Sequence, residues 1–159
     1  MSIRRATPDD VAVIAHLIRE LAIYERAEDE VKITPEDLRE SFFGPEPRVF
    51  CELFEEAETA VGFAVWFLNY STWTGHYGIY LEDLFVRPEH RGHGFGRAML
   101  ARLAKECVTN GYTRLQWSVL DWNTPAIDFY RGLGAEAMSE WTVFRLSNES
   151  LERLAALSD

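Results

Sequence analysis

Residues 80–97, Tyr-Leu-Glu-Asp-Leu-Phe-Val-Arg-Pro-Glu-His-Arg-Gly-His-Gly-Phe-Gly-Arg, decide how this chain folds. An apolar β-type run ends at Val86, a proline turn follows, and Arg91-Gly92-His93-Gly94-Phe95-Gly96 leads into a helical pattern. Three glycines at alternate positions leave successive backbone N–H groups unshielded. The helix behind them adds free N–H groups and the positive end of its dipole, so the segment reads as a cradle for a pyrophosphate. The competing reading is an ordinary glycine-rich turn that caps a helix.

Spacing narrows the ligand. A dinucleotide fingerprint needs Gly-x-Gly-x-x-Gly and an acid about 20 residues further on. This loop has Gly-x-Gly-x-Gly, and residues 112–118 offer no acid. A Walker A loop would continue Gly-Lys-Ser/Thr, where this chain has Gly96-Arg97-Ala98. Arg-x-x-Gly-x-Gly after a strand instead closely resembles the acyl-CoA pyrophosphate signature of the GNAT N-acetyltransferase superfamily.

Composition fits a single domain over residues 1–159, long enough to bury a core without staples. The net charge of −10 disfavours nucleic acid and anionic membrane as partners and suits a cationic, amine-bearing substrate, or simply a solvated acidic surface. Cys51 and Cys107 stand in unlike settings and read as small buried residues, with no disulfide framework. The N-terminal stretch has no apolar core of a signal peptide, and no apolar run reaches membrane-spanning length, so a cytoplasmic location is expected.

Outward from the glycine loop, the elements alternate. Ile3 to Ala6 reads as a strand, and Thr7-Pro8-Asp9-Asp10 opens a helix running to about Tyr24. Thr34-Pro35-Glu36-Asp37 opens a shorter one. Val49 to Phe54 and Ala60 to Tyr70 form a hairpin, with Gly62 marking a bulge or a close backbone approach. A strand around Ile79 to Val86, a helix stopped by Asn110-Gly111, a strand from Arg114 to Val119 and a helix from Asn123 through Tyr130 follow. Trp141 to Leu146 is predicted as a last strand, before a short closing helix. This order predicts an α+β class built on one mixed sheet.

The order is also that of the GNAT acyltransferase fold, whose mixed, mostly antiparallel sheet is flanked by helices and splayed at the acyl-CoA site. Within the superfamily the chain most resembles the diamine acetyltransferase (spermidine/spermine acetyltransferase-like) group. Five stretches carry the likeness: residues 21–25, 69–73, 80–83, the glycine loop, and Asp121-Trp122-Asn123 with Phe129-Tyr130. The tract Tyr70-Ser71-Thr72-Trp73, with Ser71 where polyamine-preferring members carry an acid, is closest to the thialysine acetyltransferase branch. The resemblance implies acetyl-CoA as acetyl-donor cosubstrate, a primary amine of a small molecule as acceptor, direct attack in a ternary complex, and a homodimer.

Roles follow residue by residue. Tyr130 is protonated at neutral pH and can donate to a leaving thiolate, though a helix tyrosine also packs well on a core. The resemblance makes it the general acid. Glu82, in an otherwise apolar strand, either lines a cleft or is structural. The resemblance puts it in the amine pocket as a catalytic residue that attracts the ammonium and relays its proton through water. On a period-2 reading Glu82 shares a face with Tyr80 and Leu84, and Asp83 shares the other with Leu81 and Phe85; Asp83 is taken as structural. By the same resemblance the pantetheine arm lies along the backbone of Leu84, Phe85 and Val86. The pyrophosphate falls to Arg91, Gly92, His93, Gly94, Phe95, Gly96 and Arg97, with Asn123 and Ala126 completing the cofactor set. Asn123 also reads as a plain helix cap. Tyr24, Glu25, Ser71 and Trp73 join Glu82 as substrate residues. His90 and His93 are spaced i, i+3, but no third ligand converges on them in the sequence, so no metal is expected.

Two other functions fit parts of the pattern. A protein or peptide N-acetyltransferase would share the whole machinery, and a non-catalytic acyl-CoA sensor would need the glycine loop but neither Tyr130 nor Glu82.

Overall fold

The computed structural model describes residues 2–158, which divide into two compact units on either side of the Ser118–Val119 junction. The first holds strands β1 (Ser2–Arg5), β2 (Val49–Glu56), β3 (Thr59–Ser71), β4 (His76–Val86) and β5 (Leu115–Trp117), with helices α1 (Val11–Glu25), α2 (Pro35–Phe43) and α3 (Phe95–Asn110). The second holds α4 (Thr124–Gly132) and α5 (Asn148–Ala155).

Local chemistry sets the helix starts as expected. Asp10 accepts from the Thr7 N–H at 2.7 Å, and Thr34 and Asp37 cap each other reciprocally. Arg4 grips Asp10 with both terminal nitrogens at 2.8 Å, tying β1 to the start of α1 and holding the Asp10 carboxyl well below the usual carboxylate range.

The strands lie in the order β1-β2-β3-β4-β5, antiparallel except for the parallel β4–β5 pair. The sheet is therefore mixed and mostly antiparallel. Register assigns its faces. Cys51, Leu53, Phe63, Val65 and Phe85 pack with Ile14 and Leu17 of α1 and Leu38 of α2. On the opposite face Phe54 stacks on Phe95 of α3, and Glu52 is buried between Arg5 and Arg102. Gly62 is a close-approach position: a Cβ there would collide with the Phe85 carbonyl and lie 2.8 Å from Phe54.

A β-bulge falls in β4. Val65 pairs with Asp83 and Trp66 with Leu81, which leaves Glu82 as the extra residue of β4. The bulge corrects the face assignment made by simple alternation. Tyr80 pairs with Phe67 and Leu84 with Ala64, residues of opposite parity on β3, so Tyr80 and Leu84 do not share a face. Asp83 lies opposite Val65 and so turns with Phe85 toward the α1–α2 side, whereas Leu81 turns with Trp66 to the other. A period of two cannot survive one inserted residue.

Two expectations change at the C-terminal end. The strand predicted from Arg114 to Val119 shortens to Leu115–Trp117. Trp141 to Leu146 forms no strand; Val143 and Phe144 are 84% and 92% exposed. Its alternation supplies β-propensity, but propensity reports packing on a neighbour, and no described strand pairs with it. Of the five tryptophans only Trp66 is buried.

Candidate active site

The glycine loop is built as a cradle. Gly92 and Gly94 have φ of +82° and +87°, a backbone region that side chains rarely adopt, and Gly94 is the N-cap of α3. The first helical bond runs from the Ala98 N–H to the Gly94 carbonyl at 2.9 Å. The N–H groups of Phe95, Gly96 and Arg97 thus have no acceptor within the helix, and a glycine cap supplies no side-chain oxygen to take them. No atom of the chain beyond the adjoining residues lies within 4 Å of where a Cβ of Gly92 or Gly94 would sit. The space above the loop is open to a ligand.

β4 leads into that loop along a free edge. β5 pairs with β4 only at Ile79, Tyr80 and Leu81, while β3 follows β4 as far as Val86. From Glu82 to Val86, then, the β5 side of β4 has no strand partner among the described residues. Backbone groups of Leu84, Phe85 and Val86 lie along this stretch, where an extended ligand could add as a strand. Arg91 closes its far end: its Nε donates to the Val86 carbonyl at 2.9 Å, and its guanidinium lies 4.3 Å from the Tyr24 ring centroid.

Three carboxylates gather where the edge begins. Glu82 is exposed on the bulge; Asp83, beside it, is largely withdrawn from water. Burial, then the charges of Glu82 and Glu25, push the Asp83 carboxyl up to about 7. Burial raises Glu25 as well. Glu25 is the last residue of α1, where the negative end of the helix dipole disfavours a further negative charge. Three acids crowded against burial and dipole form a place where a cation is stabilising. Asp83, taken as structural from the sequence, titrates near neutrality through its burial and the charges of Glu82 and of Glu25, 58 positions away, and neither the burial nor Glu25 is visible in the local sequence. Beside this cluster, Tyr24, Ile23, Glu20, Phe85 and Arg87 line an open depression of about 350 Å³. Arg87 is locked there onto Glu20 by two bonds of 2.8 and 2.9 Å.

The structure brings Tyr24, Glu25 and Glu82 together but not Ser71 and Trp73. Those two lie at the β3–β4 turn, where Ser71 pairs with His76, six residues or about 20 Å along β4 from Glu82. Ser71 is buried and its Oγ accepts from the Thr74 N–H at 3.4 Å, a turn-forming bond. Trp73 is 89% exposed.

In the second unit, the Asn123 side-chain oxygen accepts from the Ala126 N–H at 3.4 Å and caps α4, as the plainer reading of that residue expects. Its amide nitrogen remains a donor by chemistry. Tyr130 stands in the last turns of α4 beside Phe129, and burial raises its hydroxyl above the ordinary value, so it carries its proton at neutral pH. Both cysteines are buried with thiols pushed up by burial, a poor setting for a nucleophile.

Residues 14–135 match the family described as Acetyltransferase (GNAT) family. The chain is 40% identical to thialysine N-epsilon-acetyltransferase of Bos taurus over 164 aligned positions, covering 96% of each. It is 28% identical to an L-ornithine N5-acetyltransferase of Arabidopsis thaliana, covering 98% of this chain and 88% of the relative. Among solved structures, an integron cassette protein from the mobile metagenome of V. cholerae superimposes with a TM-score of 0.81 at 25% identity, over 97% of this chain and 96% of that one. With the cradle, the open β4 edge and this match across most of its length, the chain belongs to the GNAT acetyltransferase family.

Proposed function

We propose that this chain is an acetyl-CoA-dependent N-acetyltransferase that acetylates a primary amine of a short, amino acid-like molecule by direct attack in a ternary complex. The observation that carries this reading is the meeting of Glu25, Glu82 and Asp83 at the start of an unpaired strand edge that runs into a phosphate cradle. A cation site and an extended, phosphate-ended ligand site share one strand.

When bound, acetyl-CoA supplies an activated acyl group and a thiolate leaving group. The chain's residues do the rest. Glu25 and Glu82 draw in the ammonium. Asp83, titrating at about 7, accepts its proton directly or through water, since only the neutral nitrogen can attack. Tyr130, protonated at neutral pH, delivers a proton to the departing sulfur. Leu84, Phe85 and Val86 hold the pantetheine arm by backbone bonds. Arg91, Gly92, His93, Gly94, Phe95, Gly96 and Arg97 hold the pyrophosphate, and Asn123 and Ala126 assist from α4. The thialysine and ornithine acetyltransferases it resembles act on amino acids that carry a side-chain amine, which supports the substrate class.

Among the described residues no helix is long and apolar enough to cross a membrane. Two buried, unpaired cysteines are consistent with a cytoplasmic enzyme. Exposed Trp73, Tyr70 and Tyr77 at the β3–β4 turn support a homodimer, in which a second copy would cover them. The test of the function is release of free CoA thiol from acetyl-CoA. Release that depends on an added small amine supports the enzyme. Binding of acetyl-CoA without amine-dependent release supports a sensor, and release with peptides alone supports a protein acetyltransferase.

A further inference from the structure

The fold supplies the third ligand that the spacing of His90 and His93 lacks. Glu56 closes β2, and its carboxylate lies 2.7 Å from Nδ1 of His90 and 3.5 Å from Nδ1 of His93. The three ligand atoms lie within 4.8 Å of one another. We infer that Glu56, His90 and His93 form a binding site for a borderline divalent cation of the zinc type, joining the β2–β3 hairpin to the glycine loop.

The distances suit the ion. Metal–ligand bonds of about 2.0–2.1 Å in a tetrahedral arrangement set ligand atoms about 3.3 Å apart. Glu56 Oε1 lies 3.5 Å from His93 Nδ1 and Oε2 lies 2.7 Å from His90 Nδ1, so each imidazole already faces one carboxylate oxygen, and the three ligand atoms, within 4.8 Å of one another, close onto an ion by side-chain rotation. The donor set of two imidazoles and one carboxylate is the kind that selects zinc and its first-row neighbours over magnesium or calcium, which prefer all-oxygen surroundings. The site is accessible: Glu56 and His90 are half-buried and His93 is exposed, leaving a fourth position for water or an anionic ligand.

Hydrogen bonding and backbone favour binding. The Glu56 carboxylate already accepts from His90 Nδ1 at 2.7 Å. A cation displaces the proton that His90 Nδ1 shares with Glu56 and leaves both imidazoles neutral, as metal ligands must be. Glu56 is held by a two-residue turn of Ala57 and Glu58, both at positive φ (+48° and +62°), without a glycine to ease it. That tight turn sets the backbone of Glu56 at the end of β2, and its carboxylate faces His90 and His93. Because Gly92 and Gly94 flank His93, a bound cation adds positive charge beside the N–H cradle.

The experiment is a titration of the full-length, chelator-stripped protein with Zn²⁺ by calorimetry and with Co²⁺ by visible absorption. One ion should bind per chain, with the absorption bands of a nitrogen- and oxygen-ligated tetrahedral or five-coordinate centre. Glu56→Gln, His90→Ala and His93→Ala should each weaken binding at least about tenfold, the low end of the loss for even an outer-shell partner. Thermal melts verify that each variant is folded, and His90→Gln provides a second variant if the alanine is unstable. His16→Ala, which removes the histidine of a separate His–Glu pair on α1, should leave binding unchanged. Absence of saturable binding, or equal loss in the His16 variant, would overturn the assignment.

Discussion

The guanidinium of Arg91 lies 4.3 Å from the centre of the Tyr24 ring while its Nε holds the carbonyl of Val86. One side chain thus joins the first residue of the glycine loop, the end of β4 and the end of α1, next to Glu25. Charge on a planar fork that stacks and hydrogen-bonds at once is a task for arginine rather than lysine. Arg91→Lys keeps the charge but loses the fork. A charge-assisted bond is worth about 1.5–3 kcal/mol, so acetyl-CoA affinity measured by calorimetry should fall about tenfold to a hundredfold. An unchanged affinity would make the contact incidental.

Gly94→Val tests the cradle. No chain atom beyond the adjoining residues stands near the added Cβ, so the protein should fold, with strain from φ of +87° of about 1–3 kcal/mol. The new side chain projects into the space above the helix N-terminus. Calorimetry should show acetyl-CoA affinity largely lost, with a cooperative melt at a reduced Tm.

Tyr130→Phe removes one oxygen. Acetyl-CoA should bind as before, and kcat should fall by about 10² to 10⁴, the usual worth of a general acid. Stopped-flow measurement of the chemical step separates this from slow product release. A kcat within about threefold of the parent would make Tyr130 a packing residue.

Asp83 gives a prediction whose sign is diagnostic. Its carboxyl titrates at about 7 in the folded chain and at about 4 when unfolded. The folded state therefore binds the proton more tightly, and stability falls as pH rises from about 4 through about 7. Asp83→Asn removes that penalty. Denaturant melts should show near-equal stability at about pH 4 and a more stable variant at about pH 8, by up to roughly 4 kcal/mol from a shift of about three units. The kcat/KM for amine should fall in the same variant. A gain in stability with a loss of activity marks a residue strained for function.

These expectations rest on features that were unequally legible. The glycine loop, both Thr-Pro helix starts and the β2–β3 hairpin are local, and residues adjacent in the chain carry their whole signal. The bulge at Glu82 is a property of pairing between β3 and β4, so alternation within residues 80–86 misassigned the faces. The repulsion between Asp83 and Glu25 and the hydrogen bond between Glu56 and His90 span 58 and 34 positions and exist only once the chain is folded. Trp141 to Leu146 shows the converse: a local pattern that needs a neighbour for its outcome.

The central claim is that the acidic cluster selects one short, amino acid-like amine. Its most direct test is kcat/KM for thialysine, lysine, putrescine and spermidine, measured under one set of conditions with acetyl-CoA saturating. The Glu25–Glu82–Asp83 cluster supplies negative charge for a single ammonium, and Ser71 at the distant turn adds no carboxylate for a second. Thialysine should therefore rank above spermidine, and removing Glu82 as Glu82→Gln should lower every value. A clear preference for spermidine, or no amine-dependent turnover at all, would contradict the account.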